Sequence, residues 1–150
     1  MDNLIERIRS NPGGLANYFA NSQLTGALTA PAACVTAPVC TPAERADWDL
    51  YDWEQLLIGA QETAGGDDTG GLVNPIVCLQ IPPSPAVAGD SGVYHIAIAW
   101  HGRSKLENQT ITANPNASAC GTLSADNAYD EVPASNDNVH RRVYWQEIFI

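Results

Sequence analysis

Thr41-Pro42-Ala43-Glu44 is the feature that most constrains this chain. A hydroxyl at the helix cap can accept from the backbone N–H three residues on, and the glutamate can reach back to the cap's own N–H. Proline at the first helical position is pre-set for the turn. Ala43, Ala46, Leu50, Trp53 and Leu57 then follow at helical spacing, and Gly59 is placed to end the segment. The pattern predicts an amphipathic helix over Pro42 to Ile58. Such a stripe must be buried against something, and the C-terminal half of the chain is rich in β-branched residues. Ile76 to Ile81 lies between Pro75 and Pro82-Pro83, and Asp90-Ser91-Gly92 reads as a hairpin turn. Val93 to Trp100 alternates, with Tyr94, Ile96, Ile98 and Trp100 on one face and Val93, His95, Ala97 and Ala99 on the other. Arg142 to Ile150 reads as a last strand, with Val143, Trp145 and Phe149 on one face and Tyr144, Ile148 and Ile150 on the other. Helix first, then antiparallel strands, gives an α+β class with helices on one side of a sheet.

Before the capped helix, Asn3 to Ser10 reads as the end of a helix, with Leu4, Ile5 and Ile8 on one face and Arg7 and Arg9 suiting its C-terminal dipole. Asn11-Pro12-Gly13-Gly14 is expected to stop it. Leu15 to Pro38 reads as an irregular loop, Gln61 to Gly71 as a flexible one, Gln109 to Ala113 as a short strand and Asn114 to Asn138 as another long loop. A helix of eight to ten residues is not stable alone, so the first must pack on the domain. The expectation is one domain spanning 1–150.

The chain has 150 residues with 7 Lys+Arg against 17 Asp+Glu, a formal charge of −10. An acidic surface repels phosphates, which argues against nucleic acid and anionic membrane partners. No apolar run approaches the ~18–20 residues of a spanning helix. No secretory leader precedes Asp2 to Ser10, whereas four cysteines with one lysine suit an oxidising compartment. The expectation that reconciles the two is that Met1 is not the natural start, and that the chain is the soluble part of a longer exported protein.

Cys34, Cys40, Cys78 and Cys120 allow three pairings. Cys34 with Cys40 is the local one, leaving Cys78 with Cys120. Their spacing fits a zinc site poorly. His95, His101 and His140 are too scattered to suggest a triad or a ligand set, and no catalytic motif occurs. The expectation is no catalytic residue, no metal site and no cofactor. Asp47, Asp49, Asp52 and Glu54 read as a solvated helix face, and Asp67-Asp68 as loop carboxylates too few for a tight calcium site. Asn108-Gln109-Thr110 and Asn116-Ala117-Ser118 match the N-glycosylation pattern. Trp53 and Trp100 fall at core positions, while Trp48 lies off the stripe, where it could meet a partner.

Several segments in order resemble the type IV pilus minor pilins of the PilV kind. Glu6-Arg7-Ile8-Arg9-Ser10-Asn11-Pro12 is similar to that family's sequence at the lower end of the long pilin helix. Cys40-Thr41-Pro42-Ala43 and Asp49-Leu50-Tyr51-Asp52-Trp53 resemble its second helix. Cys78, Tyr94 to Trp100, Cys120-Gly121, Arg141-Arg142-Val143 and Ile148-Phe149-Ile150 complete the set. Ile58-Gly59-Ala60 stands where the family usually carries a Leu-Pro-Gly-Gly-like turn. The resemblance implies a type IV pilin-like fold, an N-terminal helix packed on an antiparallel sheet, and a non-enzymatic subunit of a minor-pilin complex that primes pilus assembly at the tip. It implies other minor pilins and the major pilin as partners, and contact with the inner membrane through a hydrophobic helix half preceding Met1. It implies residence in the inner membrane and periplasm and then in the extracellular pilus, with the adhesion, twitching motility and N-terminal methylation of such pili. A minor pseudopilin of a type II secretion system, or an extracellular ligand-binding or adhesive module using Trp48 and the loops, are the competing expectations.

Overall fold

The computed structural model describes residues 1–20, 23–32, 34, 39–81, 87–106, 119–122, 129 and 138–150, with Asp67 and Asp68 as backbone only. The described elements are helix α1 (Asp2–Ser10), a 3₁₀ turn (Pro12–Gly14), helix α2 (Leu15–Ala20), strand β1 (Gln23–Leu24), helix α3 (Pro42–Ile58), strands β2 (Thr63–Ala64) and β3 (Asp67–Asp68), β4 (Ile76–Gln80), β5 (Val93–His101) and β6 (Arg141–Phe149).

α3 forms where its caps require. The Thr41 hydroxyl accepts from the Glu44 N–H at 3.3 Å, and the Glu44 carboxylate accepts from the Thr41 N–H at 2.7 Å. Those hydrogen bonds hold the Glu44 carboxyl below its usual pKa. Gly59 closes the other end in the left-handed region at φ 74°, and a side chain there would collide with Gly71 N at 2.2 Å. Ala46, Leu50 and Trp53 of the stripe are buried.

The main sheet runs β1-β4-β5-β6, with all neighbours antiparallel. Ile76 lies opposite Ala99, Gln80 opposite His95, Val93 opposite Phe149 and His101 opposite Arg141, without a break in register. Because strand side chains alternate, the sheet has two different faces. Val77, Leu79, Tyr94, Ile96, Ile98 and Ile148 join Leu4, Ile5 and Ile8 of α1, the buried residues of α2, and Leu50 and Trp53 of α3 in one core. Ile76, Cys78, Ala97 and Ala99 pack on the opposite face with Cys120 and Tyr129. β4 is therefore covered on both sides, which explains why it reads as an uninterrupted apolar run.

Three expectations need correction. The chain does not become irregular at Leu15: the 3₁₀ turn leads directly into α2, whose Leu15, Tyr18 and Phe19 are buried. Its apolar pattern is only six residues long, too short to stand out against the surrounding small residues. Gln23–Leu24 pairs with Cys78 and Val77 and so adds a strand. Within 61–71 the backbone forms a small β2–β3 hairpin turned by Gly65 and Gly66, both at positive φ. The connection from β4 to β5 spans Ile81 to Gly92, so Asp90-Ser91-Gly92 is the end of a longer link rather than a tight hairpin turn. Gly92 instead exchanges two backbone hydrogen bonds with Ile150. The strand expected over Gln109 to Ala113 lies outside the described residues.

Candidate functional site

No cleft with converging reactive groups organises the described residues. What the sequence builds with most care is a polar joint between helices and a flat sheet edge.

The joint sits where α1 crosses α3. Arg7, near the end of α1, reaches Asp49 at 3.2 Å and Asp52 at 2.5 Å, one turn apart on α3. The Tyr18 hydroxyl donates to the other oxygen of Asp49. Burial, reinforced by that carboxylate, pushes the Tyr18 phenol well above its usual pKa, so it remains a donor. Asn11 donates from its amide to the Pro42 carbonyl at 2.8 Å. Gly14 lets these chains meet: a Cβ there would lie 2.4 Å from the Pro42 oxygen. On the other side of α3, buried Glu54 accepts from the backbone N–H of Gly26 at 2.7 Å and of Leu28 at 2.9 Å. The solvated-face reading of the helix carboxylates is thus wrong for Asp49 and Glu54, which are buried. Asp47 is exposed and Asp52 only partly covered. The hydrogen-bond partners of Asp49 and Glu54 lie 26 to 42 residues away, beyond the reach of helical periodicity.

The four cysteines stand as two bonds, Cys34–Cys40 with Cα atoms 5.3 Å apart and Cys78–Cys120 at 5.8 Å. The second ties β4 to the segment covering the smaller core. Beside it, buried Arg141 donates to the Cys120 carbonyl at 2.9 Å, and the Tyr129 hydroxyl donates to the Asn74 carbonyl at 2.7 Å. Burial lowers the Arg141 pKa and raises that of Tyr129.

Two of the histidines are not scattered. His101 and His140 stack with ring centroids 4.6 Å apart and planes 10° from parallel, because β5 and β6 bring their ends together. Burial first, then the His140 and Arg142 charges, lowers the His101 pKa. His95 instead faces Glu147 across the strands at 3.3 Å. Among the described residues no group of three or more His, Cys, Asp or Glu side chains is placed to hold a metal ion. The Asp67 and Asp68 side chains, Asn108 and Asn116 lie outside the described residues. Trp53 is buried, and Trp100 and Trp145 pack against the two cores. Trp48 is half-buried and meets Tyr51 edge-on at 5.5 Å.

β6 is the outer strand on its side of the sheet among the described residues. Its aromatic side chains Tyr144 and Phe149 are 53% and 70% exposed. No helix of the described residues is long and apolar enough to cross a membrane.

A short helix locked against a second helix, both covering one face of an antiparallel sheet stapled by a disulfide, defines an α+β domain. A family model described as Tt1218-like, type IV pilin Tt1218, matches residues 1–51. The match covers α1, the 3₁₀ turn, α2, β1 and the first part of α3, so the whole helical joint except Asp52 and Glu54 falls inside it. No curated protein matches the chain. No solved structure matches it either.

Proposed function

We propose that the chain is the globular part of a type IV pilin-like subunit, a minor pilin that assembles with other minor pilins and the major pilin rather than catalysing a reaction. The family match over residues 1–51 carries this reading. The joint supports it physically. In a filament subunit the N-terminal helix transmits load between the fibre and the globular domain, so it must be fixed to the domain. Leu4, Ile5 and Ile8 are buried here, and Arg7 adds a bidentate ionic hold on α3. In this reading α1 is the lower end of a longer helix whose apolar half anchors the subunit in the inner membrane before assembly. Two disulfides suit the periplasm and then the cell exterior. The resemblance to PilV-like proteins in the sequence narrows the proposal to a minor subunit at or near the tip.

The test uses the native gene in its own cells. Antibody raised against this domain should decorate sheared surface filaments at low density, and deletion of the gene should reduce the number of surface pili, with recovery on complementation. Undiminished pili together with no decoration would overturn the reading. Normal pili with a defect in protein secretion would point to a secretion pseudopilin.

A further inference from the structure

We infer that the outer half of β6, Trp145 to Phe149, is a docking edge for an extended, basic segment of a different protein chain, which adds as a further strand to the sheet. The inference deepens the pilin reading and rests on it only for calling that chain a neighbouring subunit.

The backbone ladder decides which groups are available. Gly92 and Ile150 exchange both N–H···O bonds, at 2.8 and 3.0 Å, and so do not point outward. In an antiparallel pair such positions alternate with those whose N–H and C=O point away from the partner. Counting back, Ile148, Gln146 and Tyr144 face β5, whereas Phe149, Glu147 and Trp145 turn their backbone groups to the outside. No described strand lies beyond these three. At the other end of β6 the edge is engaged, since the Arg141 N–H donates to the Asn138 carbonyl at 3.0 Å and Val143 has interactions of its own.

The two edges of the sheet differ. β1 is blunted by being two residues long. β6 is nine residues long, keeps its register without a bulge and holds no proline or lysine. Folded proteins usually protect an edge of that kind, because it is a template for another strand. Exposed Phe149 and Tyr144 provide apolar contacts on the two faces for an incoming strand, as in peptide recognition by strand addition.

Charge selects the occupant. Glu147 stands at the middle of the open stretch and its side chain is 59% exposed. An antiparallel copy of this chain pairing all three open positions would set Glu147 opposite Glu147, and like charges directly opposed are destabilising. The chain's formal charge of −10 adds repulsion at longer range. A strand with Lys or Arg opposite Glu147 meets neither penalty.

The experiment is amide hydrogen exchange by NMR on the domain, with synthetic eight-residue peptides as probes: alternating Val-Lys, alternating Val-Glu, and the Val-Lys peptide interrupted by proline. Val-Lys should slow exchange at Trp145, Glu147 and Phe149 while leaving the inward amides of Gln146 and Ile148 as they were. The proline-interrupted peptide should not. Glu147→Lys should reverse the preference towards Val-Glu, by up to about fivefold for the one pair. Equal effects of the acidic and basic peptides, no slowing at millimolar peptide, or concentration-dependent slowing without any peptide would each overturn the inference. Because Glu147→Lys also removes the His95 contact across the strands, its unfolding midpoint serves as the control for folding. Filament decoration with a silent edge would leave the pilin reading standing alone; an active edge without decoration would do the opposite.

Discussion

Asp49 is the residue on which the helical joint depends. Its carboxylate takes Arg7 on one oxygen and the Tyr18 hydroxyl on the other, and it is almost covered. Removing one partner of a buried ionic network leaves the others desolvated without compensation. Asp49→Ala should therefore cost about 3 kcal/mol. In a domain of this size that corresponds to a fall of roughly 6–12 °C in Tm by calorimetry. Asp52→Ala, at a site more than a third exposed, should cost about 1 kcal/mol or less, because water screens the pair. Equal losses at the two sites would mean that the joint does not distinguish its carboxylates. His101 gives a pH dependence of definite sign. Its folded pKa lies below the ordinary value, so the unfolded chain takes up the proton first as pH falls. Stability from this group is complete above the unfolded value of about 6.5 and is lost as pH drops below it towards the lower folded pKa. Urea midpoints should fall between pH ~7.5 and ~5.5, and His101→Gln should flatten that dependence.

At the scale of elements, the two disulfides should contribute unequally. A cross-link stabilises mainly by restricting the unfolded chain, and more so for a longer loop. Cys34–Cys40 closes a separation of 6 and Cys78–Cys120 one of 42. The chain-entropy relation gives about 2.4 kcal/mol for the first and about 4 kcal/mol for the second. Paired serine replacements of Cys78 and Cys120 should accordingly lower the urea midpoint more than replacements of Cys34 and Cys40. The gap should widen beyond loop entropy, because Cys120 is also part of the smaller core with Ala97, Ala99 and Tyr129. Elements with complete local signals were legible in the sequence. α3 carries both caps and a full stripe within its own seventeen residues, and its bounds agree with the reading from sequence. β4, β5 and β6 were legible to within a residue or two, because the apolar run of β4, the alternation of β5 and β6 and the residues bounding them are local. α2 and β1 were not. Six and two residues hold too few periods to be recognised, and they form because neighbours already in place supply the partners.

For the whole molecule, α1 is the test of how the fold is held together. Leu4, Ile5 and Ile8 fill the main core between α3 and the sheet. At about 1.5–3 kcal/mol for each buried side chain, their loss is comparable with the entire stability of a typical domain. A chain beginning at Asn11 should lose its near-UV circular dichroism and cooperative unfolding. Retention of both would show that α1 is peripheral. The sequence by itself determined the fold class, the capped helix, the strands β4, β5 and β6 and the burying face of α1, since each of these is written in spacing along a short stretch. Only the tertiary structure decided that Asp49 and Glu54 are interior rather than solvated, that His101 and His140 stack, and that half of β6 has no partner strand among the described residues. Each of those depends on groups from elements far apart in the chain. A carboxylate's environment is set by what packs on it, and a strand's edge by where the neighbouring strands stop. Neither is a property of the local pattern, so both had to wait for the fold.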